Sequence, residues 1–409
     1  MRLLVLSLVI VAAVACVRPE EPVRPALLPD VGAAPSLVAV NVNSARRATL
    51  RNADLVTNLV NGLPSSTRFL VLTNDRSAFT VARNDRPERV QFLEVPIQRS
   101  TTIWTQDPFL VLSDGRDVTL LASRDFERAD DRIMADVIAQ AAGYRVTRSG
   151  LFFEGGNIVS DAEHAFIGAN TIRRNAIELK LAEEEVVLRF QEELGRRVLV
   201  VGPVPQPIAH IDMMLTPLGD GMLALADVTA GAQLAERALD SAPETVASFE
   251  SWTEEHFFGH PRIRQVSGRN GAITAPHLRG RTREMIDRSR ALAPVLDEVA
   301  RSLEGHGYRV VRIPMLMGGP ETEASPSDEG EYSMHASYPM LTYNNVLLEA
   351  GANGKRVYVP RYGFAALDDA AHRAWEAVGF APRPIDGLTI SSMYGGALRC
   401  AVKVLQRSY

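Results

Sequence analysis

Cysteine is almost missing from this chain of 409 residues: Cys16 and Cys400 are the only two. No disulfide framework can hold such a protein, so its stability has to come from a buried core. Lysine is nearly as scarce, with Lys180, Lys355 and Lys403 alone, and the remaining basic residues are arginine. The formal net charge of −5 leaves no electrostatic footprint for DNA or RNA, and no basic block suggests a polybasic membrane patch. The one long apolar run, residues 3–14, is too short to span a bilayer as an ordinary helix. An apolar content of 46% over this length suits one large domain or two ordinary ones.

Arg2, the apolar run and the small pair Ala15-Cys16 look like a bacterial lipoprotein signal, with an uncleaved secretory signal or a mis-called start as the alternative. Cys16 would then become the lipidated first residue, and the acidic, proline-rich stretch over 17–34 would be a flexible tether. Under either reading the chain leaves the cytoplasm. Lipidation adds a membrane anchor, which makes the expected product an exported cell-envelope lipoprotein with one folded domain over 35–409. With Cys16 committed to lipid, Cys400 is left without a partner. A lone thiol beside the glycine pair Gly395-Gly396 suggests a nucleophile, against the commoner fate of burial.

Helical patterns alternate with short β-branched runs, which argues for an α/β architecture. Helices are expected over 53–62, 129–142, 183–194, 281–304 and about 367–378. Strands are expected over 69–72, 90–97, 144–146, 197–201, 308–313 and 388–390. The runs Ala-Gly-Tyr-Arg-Val at 144 and His-Gly-Tyr-Arg-Val at 308 suggest a repeated supersecondary unit. The polar stretch 318–333 reads as an exposed loop that could cover a site.

Four short motifs carry chemistry. In Ile103-Trp104-Thr105-Gln106-Asp107-Pro108, a carboxylate at the end of an apolar strand could bind a cation or merely cap a turn. In Phe153-Glu154-Gly155-Gly156-Asn157, Glu154 sits at the margin of the core and the glycines allow close backbone approach. An extended Ala209-His210-Ile211-Asp212 would turn His210 and Asp212 to one face, toward one pocket or as a core pair. The fourth is Gly395-Gly396-Ala397-Leu398-Arg399-Cys400. Outside these, His256 and His260 have a spacing that binds zinc on a helix, but Gly259 and Pro261 break that helix.

In this order the motifs resemble those of the guanidine-modifying, or pentein, superfamily, and among its members the agmatine deiminases and bacterial peptidylarginine deiminases. Trp104 to Asp107 is similar to the family's Trp-x-Arg-Asp, Glu154 to Asn157 to its Glu-Gly-Gly-Asn, and His210 to Asp212 to its His-x-Asp. Gly395 to Cys400 resembles its C-terminal cysteine motif, and Tyr343 to Leu348 with Val357 to Pro360 its penultimate strand pair. The resemblance spans roughly residues 35–409 and implies a five-bladed pseudosymmetric α/β propeller with the site at its centre. It further implies hydrolysis of a guanidinium to a ureido group and ammonia. Cys400 would be the nucleophile, His210 the proton carrier, Glu154 its orienting partner, and Asp107 and Asp212 the substrate-gripping carboxylates. No metal and no organic cofactor is implied.

Two positions depart from the pattern. Gln106 stands where agmatine deiminases usually have arginine, and Arg399 precedes the nucleophile where they usually have histidine. Arg399 could take a substrate carboxylate or form a structural ion pair. Agmatine, arginine, methylated arginine and peptidyl arginine therefore stay open as substrates. An amidinotransferase of the same fold, or a catalytically silent lipoprotein that binds guanidinium ligands or a partner, are the alternatives.

Overall fold

The computed structural model describes residues 24–42, 53–74, 87–96, 98–99, 101–258, 281–318, 339–352, 354–388, 391–392 and 395–408. The lipoprotein-type segment at 1–16, His260 and nearly all of the 318–333 loop lie outside them, and so do the side chains of 254–258.

One supersecondary unit recurs through the chain. A short strand, β1 (Ala26–Leu27), precedes the parallel pair β2 (Pro35–Val42) and β3 (Arg68–Thr73), which flank a helix over Ala53–Gly62 and are extended by β4 (Val90–Glu94). Next come an antiparallel hairpin, β5 (Phe109–Ser113) and β6 (Val118–Ala122), then a helix over Met134–Ala142, then β7 (Arg145–Arg148) parallel to β6. The same order gives β8 (Ile158–Ser160), β9 (His164–Gly168) and β10 (Arg197–Val201), with helices Ala169–Leu179 and Glu183–Leu194 in the crossover. It gives β11 (Leu215–Gly219), β12 (Met222–Asp227) and β13 (Arg309–Leu316), with β14 (Leu341–Thr342) added at the edge. A further repeat gives β15 (Leu347–Gly351), β16 (Gly354–Pro360) and β17 (Ala381–Ile385) around the helix Ala365–Ala377. Finally β18 (Val402–Arg407) returns to pair antiparallel with β2, and so completes the first unit from the far end of the chain.

The result is five separate mixed sheets of three or four strands among the described residues. The two Gly-Tyr-Arg-Val runs occupy equivalent places: Gly143 (φ 73°) and Gly307 (φ 89°) each turn the chain from a crossover helix into the third strand of a unit. Both need the left-handed conformation that glycine adopts without strain.

Local chemistry explains the elements. Helix Glu183–Leu194 has three glutamates in its first turn, where they complement the helix dipole, and buries Val186, Phe190 and Leu194 on one face. Among the described residues no helix is long and apolar enough to cross a membrane.

Three expectations need correction. The strand after the last crossover helix is β17, Ala381–Ile385, reached by the turn at Gly379 and paired with β16; of the expected 388–390 only Leu388 is among the described residues, and it is in no strand. Residues 24–34 are not a free tether. Leu27 is buried, β1 pairs with β5, and the segment onward to 34 is stitched to the sheets by backbone hydrogen bonds. And the carboxylate of Asp107 stands before the strand β5, not at the end of one.

Candidate functional site

The chemistry-bearing residues come from the same place in each unit, the turn leading into its first strand. Asp107 precedes β5, Glu154 precedes β8, and His210 with Asp212 precedes β11. Asn345 precedes β15, and Cys400, in the short helix Leu398–Ala401, precedes β18. Five sequence-distant turns thereby meet around one thiol. The His210 segment is not extended as expected: His210 itself has strand dihedrals, but Ile211–Met213 form a single 3-10 turn. The two side chains still converge, because the turn brings Asp212 round to the thiol that His210 faces.

Cys400 is 3% exposed, and its Sγ lies 3.8 Å from Asp212 Oδ2 and 3.9 Å from Oδ1. Asn345 clamps this pair: its Oδ1 accepts from the Cys400 amide at 3.2 Å, and its Nδ2 donates to Sγ at 3.2 Å and to the Asp212 carbonyl at 3.3 Å. His210 Nε2 meets Glu154 Oε2 at 2.9 Å, while Nδ1 lies 3.8 Å from Asp107 Oδ1. The glycines after Glu154 make this approach possible. A Cβ on Gly156 would stand 2.4 Å from His210 Nδ1 and 3.0 Å from Asp107 Oδ1.

Both substrate-gripping candidates already hold arginines. Arg128 donates through Nη2 to Asp107 Oδ2 at 2.6 Å and through Nε to Asp131 Oδ2 at 2.7 Å, and lies 3.5 Å from Glu154 Oε1. Arg399 donates through Nη1 to Asp212 Oδ2 at 2.9 Å and through Nε to Asp30 Oδ1 at 2.8 Å. Its remaining contacts go to the carbonyls of Gly155 and Ile158. The guanidinium of Arg399 is thus built into the floor of the site as an ion pair, and its geometry gives no support to a role in holding a substrate carboxylate. The second oxygen of Asp107, Oδ1, faces His210 and accepts from the Gly156 amide at 3.1 Å, and that of Asp212, Oδ1, lies 3.9 Å from the thiol.

The electrostatics follow from this packing. Burial works against a charged His210, but Asp107, the hydrogen bond with Cys400 and Glu154 outweigh it and hold the imidazole well above its ordinary pKa. Burial also raises Glu154, yet the His210 hydrogen bond and charge, with Arg128 and Arg174, bring it down to about 2. Cys400 is pushed up to about 11 by burial and by Asp212, with His210 opposing. Asp212, 0% exposed, is raised by burial against the pull of Arg399 and His210. The packing thus favours the thiol over the thiolate at Cys400 and the charged over the neutral imidazole at His210.

Asp107, Glu154 and His210 offer ligand atoms within 4.8 Å of one another, a spacing that could take a cation. A metal there would have to share both carboxylates with Arg128. His256 falls in the helix Pro243–Phe258, and Gly259, His260 and Pro261 lie outside the described residues.

Sequence reading gave no role to Arg128, Asp131, Asn345, Lys403 or Asp30. Asn345 lies in the Tyr343 to Leu348 run, where only the fold distinguishes it from the equally buried Asn344; the others have no local signature. Lys403 is fully buried beneath the site, donates to the Phe109 carbonyl at 2.6 Å, and has its pKa lowered to about 7 by burial and by Arg399.

No protein-family model matches the sequence, and a search among curated proteins finds no similar chain. Solved structures do match. An agmatine deiminase of C. jejuni with substrate bound superposes at a TM-score of 0.60 and 11% identity, covering 93% of this chain and 96% of that one. The agmatine deiminase of Enterococcus faecalis gives a TM-score of 0.58 at 12% identity, over 93% and 95% of the two chains. At these identities the likeness is one of fold: this chain has the fold of the agmatine deiminases.

Proposed function

We propose that this chain is a guanidine deiminase that works through a covalent intermediate on Cys400. The observation that carries the reading is the thiol of Cys400 set between the carboxylate of Asp212 and the imidazole of His210, with Glu154 on the far nitrogen of that imidazole. The five repeated units support a five-bladed propeller whose central turns are these.

A guanidinium is planar, cationic and resonance-stabilised, so its carbon resists attack until it is held and its leaving nitrogen is protonated. Asp107 and Asp212 would each offer one oxygen to it, as the other is committed to Arg128 or Arg399. A cation placed there opposes the negative field that raises the thiol, so substrate binding itself promotes loss of the thiol proton to solvent. The thiolate then adds to the guanidinium carbon. His210 gives a proton to the departing nitrogen, ammonia leaves, and an S-alkylthiouronium remains. Neutral His210 next takes a proton from water, which adds to the same carbon. The adduct then collapses: the C–S bond breaks, the hydroxyl proton passes to the departing sulfur, and the ureido product leaves.

Incubation with agmatine, arginine and an arginyl peptide, read by mass spectrometry for the ureido product, tests this. Wild type is expected to convert one of them and Cys400→Ala none. Conversion of none by correctly folded wild type would favour the silent guanidinium-binding alternative, and amidino transfer to an added amine would favour the amidinotransferase. We further propose that Cys16 is lipidated and tethers the enzyme outside the cytoplasm. Cys16→Ser should then move the protein from the membrane to the soluble fraction.

A further inference from the structure

The segment that sequence suggests is a tether is a clasp across the floor of the site. The catalytic turns lie at the starts of β5, β8, β15 and β18, and residues 26–34 bind the other ends of those strands. β1 pairs with Leu112 and Ser113 of β5, and the Asp30 amide donates to the Ser160 carbonyl at the end of β8. Ala350 of β15 donates to the Gly32 carbonyl, and Ser408, just past β18, donates to Ala34. Arg407 adds hydrogen bonds to the carbonyls of Pro29, Asp30 and Ala33. A small cavity of about 40 Å³ lies between clasp and site and is lined from one side by Pro29 and Asp30 and from the other by Gln106 and Arg399.

One side chain of the clasp reaches across. Asp30 Oδ2 is fixed by the Ser160 amide at 2.8 Å, which aims Oδ1 at Arg399 Nε, also at 2.8 Å. The opposite edge of the same guanidinium holds Asp212 Oδ2, 3.8 Å from the thiol. A planar guanidinium gripped by two carboxylates on different edges has its orientation set by both. Were Asp30 uncharged, Asp212 would be the only carboxylate left to Arg399, and the cation would draw it away from the pocket.

We infer that Asp30 is a positioning residue: through Arg399 it holds Asp212 in place to grip the substrate guanidinium, so the clasp is part of the catalytic apparatus. This rests on the deiminase reading for its effect on turnover, but its effect on the thiol does not depend on turnover.

The test uses the full chain and three forms: wild type, Asp30→Asn, which keeps an acceptor but loses the charge, and Asp30→Glu, which keeps the charge. The first readout is the pH profile of Cys400 alkylation by iodoacetamide, followed by mass spectrometry. The thiol faces Asp212, Asp107 and His210, with Asn345 on Sγ and Tyr362 within its field. Loss of the Asp30 charge and tighter pairing of Asp212 with Arg399 both relieve the negative field on sulfur. Asp30→Asn should therefore move the alkylation profile to lower pH, and Asp30→Glu should move it back toward wild type. The second readout is steady-state kinetics on whichever guanidine wild type converts, where Asp30→Asn should raise KM at least tenfold and change kcat by less. Should Asp30→Asn fail to fold, Asp30→Ser takes its place. An unchanged alkylation profile and an unchanged KM in a folded variant overturn the inference. A shifted profile in a protein that deiminates nothing supports the coupling and counts against the deiminase reading instead.

Discussion

Gly156 shows how little freedom the site leaves a single residue. Its missing side chain is what lets His210 Nδ1 and Asp107 Oδ1 stand 3.8 Å apart. Gly156→Ala should reduce kcat/KM by at least a hundredfold while the far-ultraviolet circular dichroism stays that of wild type; full activity would mean that the imidazole need not stand there. Arg128 carries a different burden. It is buried, spans Asp107, Asp131 and Glu154, and lies over the Phe126 ring at 4.8 Å. Its removal leaves carboxylates in a dry site without their cation, a loss of about 3–5 kcal/mol when a buried pair is broken from one side. Urea unfolding of Arg128→Ala should show a cost of that order. A near-neutral result would show that water reaches Asp131, which is itself 0% exposed. The named motifs were legible because each contains its own chemistry within six residues. Arg128 and Asp30 were not, since what makes them matter is which carboxylate or guanidinium lies across a gap that only the fold closes.

Among the elements, those set by local rules read directly from sequence. Helix Glu183–Leu194 and strand β10 fall on their expected residues, because a run of glutamates opens the helix, Gly195 ends it and a β-branched stretch follows. The His210 segment misled because alternation in a six-residue window cannot distinguish a strand from a single 3-10 turn. The clasp misled for a related reason: proline and acidic residues suit a tether, and only its partners on four other strands make it ordered. Close approach also governs how helices dock. Helix Val228–Ser241 lies against β13 so tightly that a Cβ on Gly231 would stand 1.8 Å from the Met315 carbonyl oxygen. Gly231→Ala should lower the urea midpoint by an amount worth about 1–3 kcal/mol, the usual cost of overpacking; an unchanged midpoint would mean that the helix can slide outward without loss.

For the molecule as a whole, buried charge makes stability depend on pH at both ends. Glu154 has its folded pKa, about 2, below the ordinary 4.5. Its contribution is therefore complete above about pH 4.5 and is lost as pH falls toward 2. Lys403 is also depressed, to about 7 from 10.5, but as a base its shift has the opposite meaning. The unfolded chain takes up that proton first, so stability declines as pH falls from 10.5 to 7 and is constant below. Urea midpoints across pH 3 to 9.5 should show both slopes. Glu154→Gln should flatten the acid limb and Lys403→Met the alkaline one; an alkaline slope that survives Lys403→Met would assign it to another group.

The pairing of β18 with β2 has a consequence in time. The strand that follows Cys400 joins a sheet whose adjoining member, β2, was made some 360 residues earlier. Until it arrives, β2 presents an almost wholly buried strand with one edge open, the kind of surface that draws other chains and calls for a chaperone's cover. Contacts so remote in sequence also form slowly. A ribosome making this protein thus completes four of the five turns around the candidate site before it adds the Cys400 thiol at their centre.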